Sequence, residues 1–340
     1  MSFDWGDLNA RARGWATHLL GRSELQQLAR MEGIGALADE FARRGWIRGD
    51  NPAPATAALL EAAVRRLTGS RLAALARWAG PRSRAFPMLF EQVERQSLRS
   101  LVRGAAAGFS SERRLAGTLP TPALPTRALV ELASQPRVAD IASLLTLWQH
   151  PYAAVVAAAG RANEPDLLHF ELALAHRFAL RAHEQVTALE PRLLEDVRLS
   201  IDLENLSAAL LLSVESADIR PEAAFLPFGQ ELSLAQFETA IRSGSAAKAV
   251  TALRKPLSGT TLGRLLADHG SDREALETAG LALRLQRARG TALRDPLSPS
   301  PTLAYGLAVL AEQMALFRII WTLALVGPPA EIALELAGRP

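Results

Sequence analysis

The chain of 340 residues contains no cysteine, only two lysines, Lys248 and Lys255, and few aromatic residues, 6% of the total. The absence of cysteine excludes disulfide bonds, cysteine-ligated zinc and a cysteine nucleophile, and it fits a reducing compartment. Aromatic and β-branched residues favour strands, whereas alanine and leucine, which supply most of the apolar residues here, favour helices. Alternating apolar and polar runs of strand length are also nearly absent. We therefore predict an all-α protein.

A concentrated basic surface is also lacking from the sequence. The formal net charge is only +3 over the whole chain, and the arginines occur in scattered pairs such as Arg43-Arg44 and Arg65-Arg66. Such pairs are more typical of solvated helix faces than of a nucleic-acid footprint. We expect no nucleic-acid partner.

Motifs that would indicate catalysis or cofactor binding are missing as well. The sequence contains no G-x-x-x-x-G-K-S/T, no G-x-S-x-G and no H-E-x-x-H, so we expect no directly bound nucleotide, no cofactor, no metal and no catalytic residue. The segment G-I-G-A-L-A at 33–38 follows a helical pattern rather than the strand that a dinucleotide fingerprint needs. His169, His176 and His183 recur every seven residues, about 10.5 Å along a helix, which is too far for one ion to bridge neighbours.

One stretch, residues 304–327, is apolar and long enough to span a membrane. Glu312, Gln313 and Arg318 lie near its middle, and one charge at a bilayer centre costs about 2.5–3.5 kcal/mol even on lenient insertion scales. The acids in the first residues, M-S-F-D-W-G-D, also disagree with a signal peptide. We therefore predict a buried helix rather than a membrane span.

An acid followed four residues later by a leucine occurs three times, in V-E-R-Q-S-L from residue 93, I-D-L-E-N-L from residue 201 and A-E-Q-M-A-L from residue 311. The acids are Glu94, Asp202 and Glu312, which lie 108 and 110 residues apart. In the second copy, Asp202 and Asn205 stand near the expected start of a helix over 200–212 that becomes almost purely apolar. The spacing predicts an internal repeat.

Two further markers keep this period. Leu60-Glu61, Phe170-Glu171 and Leu276-Glu277 lie in alanine- and leucine-rich segments, and short breaks ending in an acid occur at 108–112, 218–222 and 327–331. Three markers in one order predict three pseudo-symmetric helical domains, residues 1–110, 111–220 and 221–340. We expect the N-terminal and C-terminal helices to pack together and close a ring.

Helix ends are visible in three places. S-E-L-Q at 23–26 and S-L-A-Q at 233–236 have the capping-box pattern, which predicts a helix start at each serine. P-P-A-E-I-A-L-E-L-A-G at 328–338 begins with proline and ends with glycine, which predicts a complete short helix.

The ordered set of motifs resembles a known family. D-L-N-A-R-A-R-G-W at 7–15, the repeated acid segments with G-F-S-S-E after the first, and E-x-x-x-L-F-R-I-I at 312–320 are similar to the C subunit of archaeal- and bacterial-type V-type ATPases and ATP synthases. The eukaryotic counterpart is the d subunit of the V-type ATPase. The resemblance covers essentially the whole chain, although Ser97 and Ala315 replace the amide found at Asn205, and Leu8 stands where an aromatic residue is common.

The resemblance implies an all-helical funnel of three domains that performs no chemistry. Its implied partners are the rotor shaft subunits of the soluble ATPase sector, received in a cavity, and the membrane proteolipid ring. The implied location is the cytoplasmic face of the membrane, held peripherally, and the implied process is H⁺ or Na⁺ transport. The alternative function is a free-standing all-helical scaffold that binds other proteins.

Glu94, Asp202, Asn205 and Glu312 are the candidate site residues, as structural contacts between repeats. Catalytic carboxylates would have to converge, whereas repeated copies occupy equivalent and separated places. We expect each acid to pair with an arginine or to cap a neighbouring helix where two repeats meet. A solvated position at the start of a helix is the alternative for Asp202.

Overall fold

The structure, a computed structural model, describes residues 3–47, 55–161, 165–214 and 219–325. Within these ranges the chain forms 17 α-helices and no β-strand, so the predicted all-α class is confirmed. In chain order the helices are α1 Gly6–Ala16, α2 Arg22–Ala29, α3 Ile34–Arg43, α4 Ala57–Ala79, α5 Phe90–Ala106, α6 Ser111–Ala116, α7 Thr126–Ser134, α8 Val138–Leu147, α9 Ala153–Ala159, α10 Leu167–Leu189, α11 Leu194–Leu212, α12 Pro221–Ala224, α13 Leu234–Ile241, α14 Ala246–Arg254, α15 Thr261–His269, α16 Arg273–Arg294 and α17 Ser300–Leu325.

The same pair of long helices occurs three times, as α4–α5, α10–α11 and α16–α17. We call α4, α10 and α16 the leading helices. We call α5, α11 and α17 the acid helices, because they contain Glu94, Asp202 and Glu312. Four short helices separate one pair from the next, α6–α9 and α12–α15, while α1–α3 precede the first pair.

The three leading helices begin in the same way. The side chains of Thr56, Asp166 and Asp272 accept hydrogen bonds from the backbone N–H three residues later, at 3.2, 2.9 and 3.0 Å. Such a cap satisfies one of the amides that a helix start leaves unpaired. The three caps therefore fix where each leading helix starts, and each capping residue stands five residues before Glu61, Glu171 or Glu277.

The three helix pairs pack in a cyclic order, in which each acid helix contacts the leading helix of the next pair. Acid helix α5 packs against leading helix α10, α11 packs against α16, and α17 packs against α4 at the start of the chain. The acid helices also contact the short helices that follow them, α5 with α6–α8 and α11 with α13–α15. For α17 this place is taken by α1, α2 and α3. The two ends of the described chain are thus joined by helix packing.

Three apolar clusters follow from this arrangement. The largest extends from Trp5, just before α1, through α5, α8 and α10 to Leu307 in α17. A second joins the C-terminal half of α11 to α13–α16 around Phe237. The third joins α2, α3 and α4, with Leu60 at its centre, to Ile320 and its neighbours in α17. Two of the three clusters therefore combine side chains from the first and last thirds of the chain.

Helix α17 is long and apolar enough to cross a membrane by length and composition, the one such helix among the described residues. Its first ten residues, 300–309, are nevertheless all buried in the protein. A Cβ atom added at Gly306 would overlap the Cδ1 atom of Leu89, so glycine permits the close approach at this point. The helix predicted at 304–327 is buried over its first half and is described as far as Leu325.

The predicted helix ends meet different outcomes. The capping box at 233–236 is confirmed, because Ser233 N–H donates to Gln236 Oε1 at 2.8 Å and Gln236 N–H donates to Ser233 Oγ at 3.4 Å. The helix start at Ser23 was wrong, since α2 begins at Arg22 after Gly21, whose N–H donates to Glu24 Oε2 at 2.9 Å. The stretches 327–331 and 328–338 lie outside the described residues.

Candidate functional site

Glu312 connects the last acid helix to the first third of the chain. Its carboxylate forms an ion pair with Arg71 of α4, and its Oε1 accepts a hydrogen bond of 2.7 Å from the backbone N–H of Leu20, just before α2. Only 6% of Glu312 is exposed. A buried pair of this kind is costly to break on one side, because the remaining charge stays buried without a partner.

Glu94 contacts the connections between the short helices that follow its own helix. Its Oε2 accepts a hydrogen bond of 3.2 Å from Thr121 Oγ1, and its Oε1 lies 2.8 Å from His150 Nε2, off the line of a straight hydrogen bond. His150 Nδ1 accepts the backbone N–H of Tyr152 at 3.3 Å. The buried carboxylate of Glu94 is thus contacted by side chains from the segments between α6 and α9.

Asp202 binds backbone rather than a side chain. Its carboxylate accepts hydrogen bonds from the N–H groups of Gln230, Glu231 and Leu232 at 2.8, 3.0 and 3.2 Å, in the turn before α13. Burial raises the pKa of Asp202 above its ordinary value, although the three N–H donors act in the opposite direction. A Cβ atom at Gly229 would overlap the Asp202 carboxylate, so the glycine lets the turn come this close.

The expected position of Asp202 near a helix start was wrong. Helix α11 begins at Leu194, eight residues earlier, because L-E-D-V-R-L at 194–199 continues the helix on its N-terminal side. Asp202 is only 1% exposed, which excludes the solvated alternative. No arginine forms an ion pair with it in the part of the chain that the structure describes.

Ser97 in the first repeat and Asn205 in the second form the same pair of hydrogen bonds with the backbone of one later residue. Asn205 Oδ1 accepts the N–H of Leu226 at 2.8 Å, and its Nδ2 donates to the carbonyl of that residue at 2.9 Å. Ser97 Oγ accepts the N–H of Leu119 at 3.0 Å and donates to its carbonyl at 3.2 Å. Ala315, at the matching place in α17, has no polar group for this purpose.

The acids of the leading helices face the acid helix of the preceding pair. Each of these acids is contacted by a side chain of that acid helix. The contacting residue stands five or nine positions after Glu94, Asp202 or Glu312. The contacts are Arg99 Nη2 and Arg103 to Glu171, the former at 2.8 Å, Ser207 Oγ to Glu277 at 3.5 Å, and Trp321 Nε1 to Glu61 at 2.7 Å. These polar contacts follow the same cyclic order as the helix packing.

Sequence reasoning missed two arginines that join α11 to helices of the other two pairs. Arg95 of α5, only 5% exposed, donates two hydrogen bonds of 2.5 and 2.9 Å to Glu204 of α11. Arg284 of α16 forms a similar two-bond contact with Asp196 of α11, both at 2.8 Å. Glu204 stands beside Asn205 in the repeat motif, and this was the available signal, but spacing alone does not identify a partner 109 residues away.

A buried amide fastens α1 to the turn before α17. Asn9, 2% exposed, donates through Nδ2 to the carbonyls of Pro296 and Ser298 at 3.1 and 2.7 Å. Its Oδ1 accepts a hydrogen bond of 2.8 Å from Thr302 Oγ1. Asn9 lies within the D-L-N-A-R-A-R-G-W motif, so the motif holds a residue that ties the start of the chain to its last described helix.

The three repeat acids do not converge on one place. Each is engaged by a different set of donors on a different segment of the chain. Across the described ranges, no group of three or more histidine, aspartate or glutamate side chains is arranged to hold a metal ion. Of the spaced histidines, His169 is exposed and His183 stacks on Phe228 with ring centroids 4.2 Å apart.

Comparison with known families decides the assignment. Residues 8–332 match the model of the family described as ATP synthase (C/AC39) subunit, and the match contains all four candidate residues. The chain belongs to this family. The predicted resemblance to the C subunit of V-type ATPases, and to its counterpart, the d subunit, is thereby confirmed. A C/AC39 chain is one part of a membrane-associated ATP synthase complex that contains other subunits. No curated protein matches the chain.

Proposed function

We propose that this C/AC39 subunit is a non-catalytic part of the central stalk, which couples the rotor shaft of a V-type ATPase or ATP synthase to the membrane proteolipid ring. The observation that carries the proposal is the cyclic packing of the helices, in which each acid helix meets the leading helix of the next pair and α17 meets α4. Three successive steps that return to their start surround an axis. That axis is the socket for the foot of the shaft.

The proposal retains three domains, residues 1–110, 111–220 and 221–340, arranged as a funnel. The capped starts of α4, α10 and α16 support this division, as do the matching contacts of Ser97 and Asn205. Glu94, Asp202, Asn205 and Glu312 then act at the junctions between successive domains. Glu312 is the junction that closes the funnel, because its partners Arg71 and Leu20 belong to the first domain.

A coupling protein must resist deformation when the shaft turns. Buried, charge-assisted hydrogen bonds have defined geometry and lose energy steeply when their partners are displaced. The contacts of Glu312 with Arg71 and of Arg95 with Glu204 bridge distant parts of the chain in this way. The proposal therefore gives the acids a mechanical role and needs no catalytic group in this chain, consistent with a non-catalytic ATPase subunit.

The test is to reconstitute the ATPase complex in vesicles with and without this chain, and to follow ATP turnover and ion uptake together. Without the chain, we expect ATP turnover by the soluble sector to continue while ion uptake is lost. Adding back the purified chain should restore uptake. Adding back the Gly14→Ala variant is the control, and it should restore uptake as the wild type does. Gly14 is exposed, and nothing lies within 4 Å of a new Cβ atom there.

Partner binding provides an independent measurement. The purified chain should sediment with detergent-solubilised proteolipid rings and bind the isolated shaft subunits, and it should remain soluble when the ring is absent. Full ion uptake in vesicles without the chain would reject the coupling role. That result, together with failure to bind ring or shaft, would leave the free-standing scaffold as the better description.

A further inference from the structure

A cleft of about 380 Å³ lies between the C-terminal half of α5 and the start of α6. Four arginines line it, Arg99, Arg103, Arg113 and Arg114, and none of the lining residues is acidic. The cleft includes the start of the G-F-S-S-E marker, through Phe109, but the proposed coupling function assigns it no role.

Arg114 is the unusual member of this cluster. It is only 6% exposed, and its Nε is buried without a hydrogen-bond partner. Its guanidinium donates through Nη1 to the backbone carbonyl of Gln135, and within the described ranges no carboxylate pairs with it. Burying a charge without a counter-ion is unfavourable, so this guanidinium is placed where an anion would stabilise it.

The position of Arg114 is built into the fold. Its side chain passes across α5 at Gly104, where a Cβ atom would overlap Cγ of the arginine. Arg113, next in the sequence, lies over the ring of Phe109 with its Cζ atom 3.7 Å from the centroid. The packing of Arg114 against Gly104 and the stacking of Arg113 on Phe109 thus fix two guanidinium groups at one opening.

The positive charge of the cleft is only partly neutralised. Arg99 and Arg103 share the single carboxylate of Glu171, which leaves the four guanidinium groups with an excess of positive charge. The repeat itself does not require this charge, because the places that match Arg103 in the other acid helices hold Leu211 and Trp321. The arginine at this place is therefore particular to the first acid helix.

We propose that this cleft binds a phosphate group, carried either by an anionic phospholipid or by a free phosphate compound. Guanidinium groups match the tetrahedral oxygens of phosphate with paired hydrogen bonds, and Arg114 supplies donors that are already desolvated. Arg113 covers one face of Phe109, the one aromatic side chain that lines the cleft.

Calorimetric titration of the full chain with inorganic pyrophosphate at low ionic strength tests the chemistry. The wild-type chain should bind, and Arg114→Gln and Arg113→Gln should each weaken the affinity about tenfold, the effect of removing one charge-assisted contact. Arg127→Gln, an exposed arginine on α7 outside the cleft, should bind like the wild type. Thermal melts check folding, and Arg113, which is exposed, serves if the Arg114 variant is unstable.

Vesicles identify the source of the phosphate. If a lipid supplies it, the chain should sediment with phosphatidylcholine vesicles containing phosphatidylglycerol, pyrophosphate should displace it, and Arg114→Gln should abolish sedimentation. If a free compound supplies it, pyrophosphate binds and the vesicles do not. The proposal is overturned if the wild type does not bind pyrophosphate, if the cleft variants bind as the Arg127→Gln chain does, or if succinate binds as tightly as pyrophosphate.

Discussion

Glu94, Asp202 and Glu312 occupy the same place in their helices but accept contacts from different chemical groups. Glu312 meets a guanidinium, Asp202 meets three backbone amides, and Glu94 meets a hydroxyl and an imidazole. All three contacts lead to the segment that comes next in the cyclic order of the helices. A repeated acid can thus keep its position while its partner changes, provided that the partner donates hydrogen bonds.

Replacing Asp202 with alanine should be strongly destabilising. The change leaves the N–H groups of Gln230, Glu231 and Leu232 without their acceptor, and each buried donor that loses its partner costs about 1–3 kcal/mol. Two of the three are only partly buried and can regain water, so we expect a loss of about 3 kcal/mol in the free energy of unfolding. Urea melts of the purified variant measure it, and a loss below about 1 kcal/mol would contradict this account.

The raised pKa of Asp202 also predicts how stability depends on pH. Because the folded protein holds this proton more tightly than the unfolded chain, where the pKa is about 3.9, the contribution is fully present below the unfolded pKa. It is lost as pH rises through the raised folded pKa. Asp202→Asn removes the titration and keeps one oxygen acceptor.

The measurement is the difference in unfolding free energy between wild type and Asp202→Asn from about pH 4 to about pH 7. The wild type should lose stability relative to Asp202→Asn as the pH rises. Parallel curves for the two proteins would show that Asp202 does not carry the dependence. Comparing the two proteins cancels the other carboxylates, whose titration is common to both.

Spacing located these acids without revealing what they bind. The period of about 110 residues marked Glu94, Asp202 and Glu312 as equivalent, since a repeat is visible in one sequence. The partners were not predictable, because Thr121 and Leu20 become neighbours of the acids only after the helices pack. The arginines posed a further difficulty, since many are distributed along the chain and composition does not single out Arg71 or Arg95.

At the scale of helices, α17 makes a close contact with the residues just before α5. Gly306 has no room for a side chain because Leu89 occupies that space. Gly306→Ala should therefore destabilise the protein by about 1–3 kcal/mol, the usual cost of overpacking. Gly14→Ala in α1 is the matched control, and should stabilise by about 0.5–1 kcal/mol, because alanine is the better helix former and the site is open.

Thermal melts of both variants decide whether glycine is needed at 306 for space. Equal effects of the two substitutions would mean that α17 can shift away from Leu89 without loss. The exposed position of Gly14 and the fully buried position of Gly306 make the contrast direct. Both changes add one methyl group to a helix. The gain in helix propensity is therefore matched, and the two variants differ in how the new methyl group packs.

Helices were easier to predict than their ends. Alanine and leucine content indicated an all-α protein, and S-L-A-Q at 233–236 indicated a real start. S-E-L-Q at 23–26 misled, because the backbone N–H of Gly21 already satisfied Glu24 and the helix began one residue before Ser23. A cap depends on the backbone conformation before the helix, which a four-residue pattern does not specify.

For the whole molecule, the cyclic packing predicts cooperative unfolding. Two of the apolar clusters combine residues from the first and last thirds of the chain, so neither third keeps its core when the other unfolds. We expect circular dichroism and tryptophan fluorescence to report one coincident transition in urea, the standard test of two-state behaviour. Tryptophans placed from Trp5 to Trp321 sample both thirds.

A chain cut back to residues 1–214 offers a complementary measurement. It lacks α17, which covers α2, α3 and α4, and it lacks the helices that pack on α11. The fragment should melt broadly and at lower temperature than the full chain. A sharp transition at the original temperature would show that the first two thirds fold independently and that closure contributes little.

The return of α17 to α4 has a consequence for biosynthesis. Leu60 packs with Leu316, which the ribosome adds 256 residues later. At roughly 5–20 residues per second, about 13–50 s pass between the synthesis of α4 and that of the helix that covers its apolar face. Throughout that interval the nascent polypeptide exposes this face to the cytosol and to any molecular chaperone stationed at the exit of the ribosome. We therefore expect the yield of folded protein to depend on the pace of translation, and on whether a chaperone covers α4 before α17 is made.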